Sequence, residues 1–168
     1  FGEGPADAPV MLVGEQPGDV EDIRGRPFVG PAGRLLDRAL GELSIDRRRL
    51  YVTNAVKHFK FVPRGKRRIH QKPGSSEIRA CRPWLERELE LVPSRLVVLM
   101  GATAVQAGLG SASSITSLRG KVMPYGEGRE AVVTVHPSYL LRLPEHLDRD
   151  RAYGAFLNDL RLLLPYLG

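Results

Sequence analysis

The sequence predicts an α/β protein, a three-layer α/β/α arrangement around a central, mostly parallel sheet of four strands. Short apolar runs that end at glycine or polar residues alternate with longer stretches of helical spacing. Such alternation favours a parallel sheet covered by helices on both faces. The 168 residues contain no internal repeat and no long linker, so we expect one domain over residues 1–168.

The predicted elements follow in chain order. The core strands are VMLVGE (10–15), LYVTNAV (50–56), RLVVLMG (95–101) and a fourth that ends at His136. Before the fourth, the segment that begins GKVMPY predicts another strand and a turn around Gly126 to Gly128. The helices are GPAGRLLDRALGEL (30–43), SSEIRACRPWLERELELV (75–92), ATAVQAGLG (102–110) and the C-terminal segment (151–168). Pro31 suits a first helical turn, whereas Pro83 predicts a kink or the start of the regular helix. Ser75 or Ser76 is expected to cap the helix over 75–92.

Polar side chains follow the predicted strands. Glu15 and Gln16 follow the first strand, Asn54 closes the second, and His136 ends the last. In parallel α/β sheets, ligands bind beyond the carboxyl ends of the strands. We therefore expect these side chains to meet at one edge of the sheet.

Positive charge is concentrated in one segment. The net charge is +6, and residues 47–76 contain ten cations and no carboxylate. Such a field attracts polyanions, although a solvated basic face has the same composition. No apolar run approaches the roughly 20 residues of a membrane span, and the N-terminus lacks a signal-peptide pattern. The single cysteine, Cys81, fits a reducing cytoplasm, where we place the protein.

Two kinds of cofactor site are disfavoured by spacing. The glycine- and proline-rich segment after the first strand lacks both GxxxxGK and GxGxxG, so no nucleotide cofactor is expected. A zinc site built from His58, His70, Cys81 and His136 is also disfavoured, because these residues show no typical ligand spacing.

Several residues suit recognition of a nucleobase in DNA, and each has a structural alternative. The Asn54 amide matches the adjacent acceptor and donor of uracil or thymine, but it equally suits a turn. Phe28 suits either a core position or stacking on a base. In HPSYLLR, Ser138 suits phosphate binding, and the end of the segment suits a wedge against a helix from which a base is extruded, or an ordinary strand-to-helix turn. The wedge residues are Leu140, Leu141 and Arg142.

Together, GEQPG…GRPFVGPAG, YVTNAVK, LVVLMGATA and VTVHPSYLLR resemble the uracil-DNA glycosylase superfamily, most closely its iron–sulfur branch, family 4. The resemblance runs over nearly the whole chain. KRRIH (66–70) with the Gln of GEQPG narrows it to the UdgX group. That group is implied to bind uracil-containing DNA and to become covalently joined to it. We also expect a monomer that prefers single-stranded DNA and binds no membrane.

The resemblance implies how the base is bound. Phe28 would stack on the extruded uracil, and Asn54 would bind its Watson–Crick edge. His136 would contact O2 and stabilise the departing uracil anion. Gln16 would help to seat the base or the sugar.

The resemblance also implies the nucleophile. Glu15 would orient His70, and His70 would attack the sugar. An attacking imidazole must be neutral, because it needs a free lone pair. His70 lies in a predicted basic loop between the second strand and the helix that begins at Ser75. The cations beside it would shape this loop and contact DNA, namely Lys66, Arg67 and Arg68.

A [4Fe–4S] cluster is implied by the branch. Cys81 matches one cluster ligand, and His58 stands where relatives place a cysteine. The chain begins at the segment that follows the branch's first two cysteines, so we expect that this polypeptide alone cannot complete a cluster.

Three other functions stay open on the sequence. The first is a conventional turnover glycosylase in which the basic stretch only grips phosphates. The second is a non-catalytic module that binds uracil or single-stranded DNA. The third is a structural or partner-binding domain with little preference for uracil over thymine.

Overall fold

The computed structural model describes residues 1–110, 113–126, 128–144 and 148–168. Its strands are β1 (Val10–Gly14), β2 (Leu50–Asn54), β3 (Phe61–Arg64), β4 (Arg67–His70), β5 (Leu96–Met100), β6 (Val122–Pro124) and β7 (Glu130–Thr134). Its helices are α1 (Asp19–Arg24), α2 (Pro31–Glu42), α3 (Ser75–Leu91), α4 (Ala102–Leu109), α5 (Ile115–Leu118), α6 (Pro137–Arg142), α7 (Arg149–Arg161) and α8 (Leu164–Leu167).

The central sheet has five strands in the order β2–β1–β5–β7–β6. The pairs β1–β2, β1–β5 and β5–β7 are parallel, and β6 pairs antiparallel with β7. The α/β class and the mostly parallel sheet are confirmed, but the predicted count of four strands was wrong. The fifth strand, β6, has only three residues and none of them is fully buried, so no strong apolar pattern marked it as part of the sheet.

Helices cover both faces of the sheet because side chains alternate along each strand. Val10 and Leu12 of β1 point into a cluster with α2 and α7. Met11 and Val13 point into a second cluster with α3 and α4. All four side chains are 0% exposed, which fits a strand buried on both faces. The three layers therefore hold the carboxyl ends of the strands rigidly at one edge.

The basic stretch forms a hairpin, where the sequence had predicted a loop. Strands β3 and β4 pair antiparallel, with Arg64 opposite Arg67. The two-residue turn begins with Gly65 at φ 60°, a conformation that glycine adopts without strain. The pattern escaped prediction because both strands are short, charged and largely exposed.

Helix α3 runs through Pro83 without ending there. Its first turn is capped by Glu77, whose carboxylate accepts a hydrogen bond from the main-chain N–H of Gly74 at 2.7 Å. The predicted serine cap was therefore wrong. No helix within the described ranges has both the length and the apolar character needed to cross a bilayer.

Candidate active site

A cavity of about 440 Å³ opens at the carboxyl ends of the parallel strands. Glu15, directly after β1, lines it together with Asn54 at the end of β2. His70 at the end of β4 and His136 after β7 line it too. Phe28, from the segment between α1 and α2, completes this set. The structure thus brings the side chains predicted at one sheet edge around a single cavity.

Glu15 links the hairpin to the sheet. One carboxylate oxygen lies 2.8 Å from Nε2 of His70, and the other accepts a hydrogen bond from Thr103 Oγ1 at 2.8 Å. Burial raises the pKa of Glu15, but the hydrogen bonds from His70 and Thr103 outweigh it, so the net pKa lies below its usual value. In the tautomer in which Nε2 carries the proton, His70 donates to Glu15 and the lone pair lies on the other ring nitrogen.

Arg68 fastens the hairpin to α1. Its guanidinium donates to Asp19 Oδ1 and to Asp22 Oδ2, both at 2.6 Å. The same group lies 5.2 Å from the ring centre of Phe59 and 5.1 Å from that of Phe61. Two carboxylates and two aromatic faces therefore hold β4, and with it the histidine at its end. These contacts support the predicted role of Arg68 in shaping the hairpin, and its contact with DNA stays a prediction.

Gln16 also holds the hairpin. Its amide nitrogen donates to the carbonyls of Lys60 and Gln71, at 3.3 and 3.2 Å, and its amide oxygen accepts from the N–H of Lys60 at 3.0 Å. The side chain is 7% exposed. The amide oxygen and nitrogen of Gln16 thus both bind main chain at the two ends of the hairpin. The contact of Gln16 with the base or the sugar stays a prediction.

His136 is held as a neutral donor. Its Nδ1 accepts the main-chain N–H of Ser138 at 3.1 Å and lies 2.8 Å from Ser138 Oγ. Burial lowers the pKa of His136 to about 4, against a smaller opposing effect of Glu15. At neutral pH the imidazole is therefore uncharged, with its proton on Nε2. That N–H is the donor available to a ligand in the cavity.

The lowered pKa of His136 predicts a specific dependence of stability on pH. Unfolded His136 takes up a proton near pH 6.5, whereas folded His136 stays neutral until about pH 4. Between these values the folded state binds fewer protons, so stability falls as the pH is lowered through this window. From pH 7 to pH 5 we expect His136 to account for a loss on the order of 1–2 kcal/mol. Urea unfolding of the protein and of His136→Asn at both pH values measures this loss, and equal pH dependence in the two proteins would contradict it.

Asn54 presents an unpaired acceptor. Its side chain is 7% exposed, and Oδ1 has no hydrogen-bond partner within the described residues. A buried amide oxygen without a partner is costly, which favours a ligand donor at this point. The main-chain carbonyl of Asn54 accepts from Lys57 Nζ at 2.7 Å. Lys57 in turn forms a buried ion pair with Glu88 at 2.7 Å, which fastens the end of β2.

Phe28 forms one wall of the cavity in a constrained backbone. Its φ of 53° is unusual for a residue with a side chain, and Arg47 donates to its carbonyl at 2.9 Å. The ring is 5.7 Å from that of His136. A Cβ at Gly14 would lie 2.5 Å from the Phe28 ring and 2.6 Å from Asn54 Oδ1. A glycine at this position is therefore needed to keep the aromatic wall and the amide side by side.

A family model for the uracil DNA glycosylase superfamily matches residues 1–161. The chain belongs to this superfamily. It is 40% identical to a type-4 uracil-DNA glycosylase of Thermotoga maritima, over 84% of this chain and 70% of that protein. It is 39% identical to the type-4 enzyme of Sulfurisphaera tokodaii, over 85% of this chain and 66% of that protein. A type-5 uracil-DNA glycosylase of Thermus thermophilus is 33% identical, over 82% of this chain and 68% of that protein.

The uracil-DNA glycosylase family is thus confirmed, and the alignments cover about two thirds of the length of these relatives. The narrower resemblance to the UdgX group rests on KRRIH and on Gln16 and stays a prediction. In this structure both features belong to one substructure, because Gln16 binds the main chain at both ends of the hairpin that carries KRRIH.

The predicted DNA contacts fall into two groups. Lys66 and Arg67 are exposed at the hairpin tip, and Arg142 is exposed at the cavity. Leu140 is 6% exposed and packs into the core beneath the sheet, so its predicted contact with DNA was wrong. Leu141, the next residue on α6, is 46% exposed and lines the cavity. Of the two leucines, only Leu141 is thus exposed to a ligand, and its contact with DNA stays a prediction.

The residues present do not fit a complete iron–sulfur cluster. The Sγ of Cys81 is buried among Val56 and Ile78 and accepts the N–H of Lys57 at 3.3 Å, whereas His58 is exposed. Within the described ranges, no three His, Cys, Asp or Glu side chains lie close enough to bind a metal ion. We therefore assign no chemical step to a cluster.

Three positioning residues were missed by sequence reasoning. Thr103 binds Glu15, Lys57 holds the end of β2, and Arg47 holds the Phe28 carbonyl. Lys57 and Arg47 belong to the segment with ten cations, where the sequence predicted only a general positive field and no individual contact. Thr103 lies two residues after Gly101, which follows β5. Its place near the carboxyl edge of the sheet was the signal in the sequence that it could contact the site.

Proposed function

We propose that the protein excises uracil from DNA and ends the reaction covalently bonded to the deoxyribose through His70. The observation that carries the proposal is the juxtaposition of Glu15 and His70, 2.8 Å apart, in a cavity that also holds Asn54 and His136. The excision step is supported by the type-4 relatives, which are named uracil-DNA glycosylases.

The cavity suits an extruded uracil. Asn54 Oδ1, buried and unpaired, would accept the N3–H of the base, and its amide N–H would donate to O4. The Phe28 ring would stack on the base, and Nε2–H of His136 would donate to O2. These contacts recognise an uncharged uracil, and the one from His136 strengthens as negative charge develops on the base.

The chemical step exchanges one bond to C1′ for another. The N1–C1′ bond breaks, and its electron pair leaves with uracil as an anion that His136 stabilises. The sugar becomes oxocarbenium-like, and the ionised Glu15 favours that positive charge. The lone pair of His70 then forms the N–C1′ bond and gives an alkylated imidazolium, paired with Glu15. The uracil anion takes a proton from solvent.

The position of the hairpin would let His70, and not water, form the new bond to C1′. Arg68 and Gln16 hold the hairpin at its middle and at its ends. A displacement of about 1 Å can cost roughly a hundredfold in rate, so these contacts matter for the nucleophile. An alkylated imidazolium lacks an easy leaving route, and the protein would react once. The single domain over residues 1–168, the single-strand preference, the monomeric state and the cytoplasmic location stay predictions.

The proposal is tested with two single-stranded oligonucleotides that differ only in uracil or thymine at one position. We expect released uracil and a protein–DNA band that survives boiling in denaturant, with the uracil strand only. Uracil release beyond one equivalent without this band would favour the turnover glycosylase. Salt-sensitive binding without uracil release would favour the non-catalytic module.

A further inference from the structure

A second groove lies beside the base cavity, and the function proposed above assigns it no ligand. Its volume is about 560 Å³, and Glu15, His70 and His136 form a wall common to both spaces. Helix α6 borders both spaces: Leu141 lines the base cavity, Tyr139 lines the groove, and Ser138 and Arg142 line both. A substrate that reacts at the common wall therefore has room on both sides of it.

The groove has an excess of unneutralised positive charge. Lys72, Arg119 and Arg142 line it. Arg119 is neutralised, because its Nη2 donates to Asp159 Oδ2 at 2.7 Å. Lys72 and Arg142 are exposed and form no side-chain hydrogen bond to the described part of the chain. The carboxylate in the lining, Glu15, has both oxygens hydrogen-bonded already. An anion in the groove would therefore meet two cations that form no ion pair within the described residues.

An aromatic ring faces the same space. Tyr139 is 44% exposed, although a tyrosine ring usually buries much of its area. Its main-chain N–H donates to the carbonyl of His136 at 3.0 Å, which fixes the residue in the first turn of α6. An exposed aromatic ring on a fixed main chain, beside cations that can pair with phosphate, is the combination that binds nucleotides in single strands.

We propose that this groove binds the nucleotide next to the uracil on the same strand, with its base on Tyr139 and its phosphate near Lys72 and Arg142. The proposal rests on the uracil excision proposed above. The sugar that reacts must lie at the common wall, so a covalently attached neighbour reaches the groove directly. Neighbours on the 5′ and 3′ sides both supply a base and a phosphate, and the experiment below distinguishes them.

The test measures uracil release under single-turnover conditions and the DNA concentration that gives half the maximal rate. Three single strands are compared: intact DNA, and DNA with a tetrahydrofuran spacer in place of the 5′ or the 3′ neighbour. For the unmodified protein, one of the two spacers is expected to raise the half-saturating concentration about 5- to 100-fold, since stacking of one base on an aromatic ring has effects of this size. The side that responds identifies the neighbour.

Variants then connect that effect to the groove. With intact DNA, Tyr139→Ala is expected to raise the half-saturating concentration as much as the sensitive spacer does for the unmodified protein. With that spacer, the variant should show no further rise, and Tyr139→Phe should behave as the unmodified protein does. Lys72→Ala is expected to raise the half-saturating concentration with a smaller salt dependence. Arg48→Ala, which removes an equal charge from a side chain 90% exposed at the opposite end of β2, is the matched control.

The outcomes separate this proposal from the function on which it rests. Uracil release with equal half-saturation for all three strands overturns the groove proposal alone. If the spacer raises the half-saturating concentration further in Tyr139→Ala, the groove proposal is also overturned, because the neighbouring base would then bind elsewhere. No uracil release from any strand overturns both proposals.

Discussion

Replacing His70 with alanine is expected to abolish the boiling-resistant adduct between the protein and uracil-containing DNA. The other ring nitrogens in the cavity belong to His136, whose Nδ1 is occupied by Ser138. Because alanine leaves space beside Glu15, water can reach C1′, and free uracil is expected to accumulate beyond one equivalent of protein. A denaturing gel measures the adduct, and chromatography of the released base measures turnover.

Gln71→Ala is the matched control for this experiment. Its side chain is exposed next to His70, and the substitution keeps the main-chain carbonyl that accepts from Gln16. We expect this variant to form the adduct at the normal rate. An adduct that survives in His70→Ala would show that another nucleophile reacts. A variant that neither forms the adduct nor turns over would contradict the entry of water.

Replacing Asn54 with leucine is expected to lower the rate of uracil release by about 10²- to 10⁴-fold. The substitution keeps the size of the side chain but removes the acceptor and the donors that would pair with uracil. Loss of two buried hydrogen bonds to a substrate has effects of this order. Single-turnover release of uracil from a single-stranded oligonucleotide measures the change.

Binding of DNA without the base controls for damage to the cavity. An oligonucleotide with a tetrahydrofuran residue in place of deoxyuridine offers no edge to Asn54, so Asn54→Leu should bind it as the unmodified protein does. Asn158→Leu, on exposed helical surface away from the cavity, should release uracil normally. A rate of uracil release by Asn54→Leu within about threefold of that of the unmodified protein would contradict the assignment of this amide as the group that recognises uracil.

Much of the fold could be predicted because the core elements carry strong periodic patterns. Continuous apolar runs such as VMLVG predict strands buried on both faces, and β1 is such a strand. The same reasoning located the site, since the carboxyl ends of parallel strands share one edge. It predicted a strand at β6 but did not count it in the central sheet, and it missed the hairpin, because short and exposed strands bury too little apolar surface to impose a pattern.

Side-chain direction was the part of the site that local pattern left open. Leu140 and Leu141 are chemically alike, and a helix of six residues is too short for its sequence to show which face is buried. Packing against the core buries Leu140 and leaves Leu141 in the cavity. Gln16 shows the same effect, because the hairpin ends lie within reach of its amide only in the folded chain.

The sequence by itself determined the α/β class, the sheet edge at which the chemistry lies and the residue types available there. Only the tertiary structure decided which of these side chains meet. Glu15 and His70 are 55 positions apart, and they touch because a charged hairpin folds back over the edge of the sheet. The physical reason is that strand and helix periods are local properties. The contacts of Arg68 with α1 instead join segments that are distant in the chain, and no local pattern encodes them.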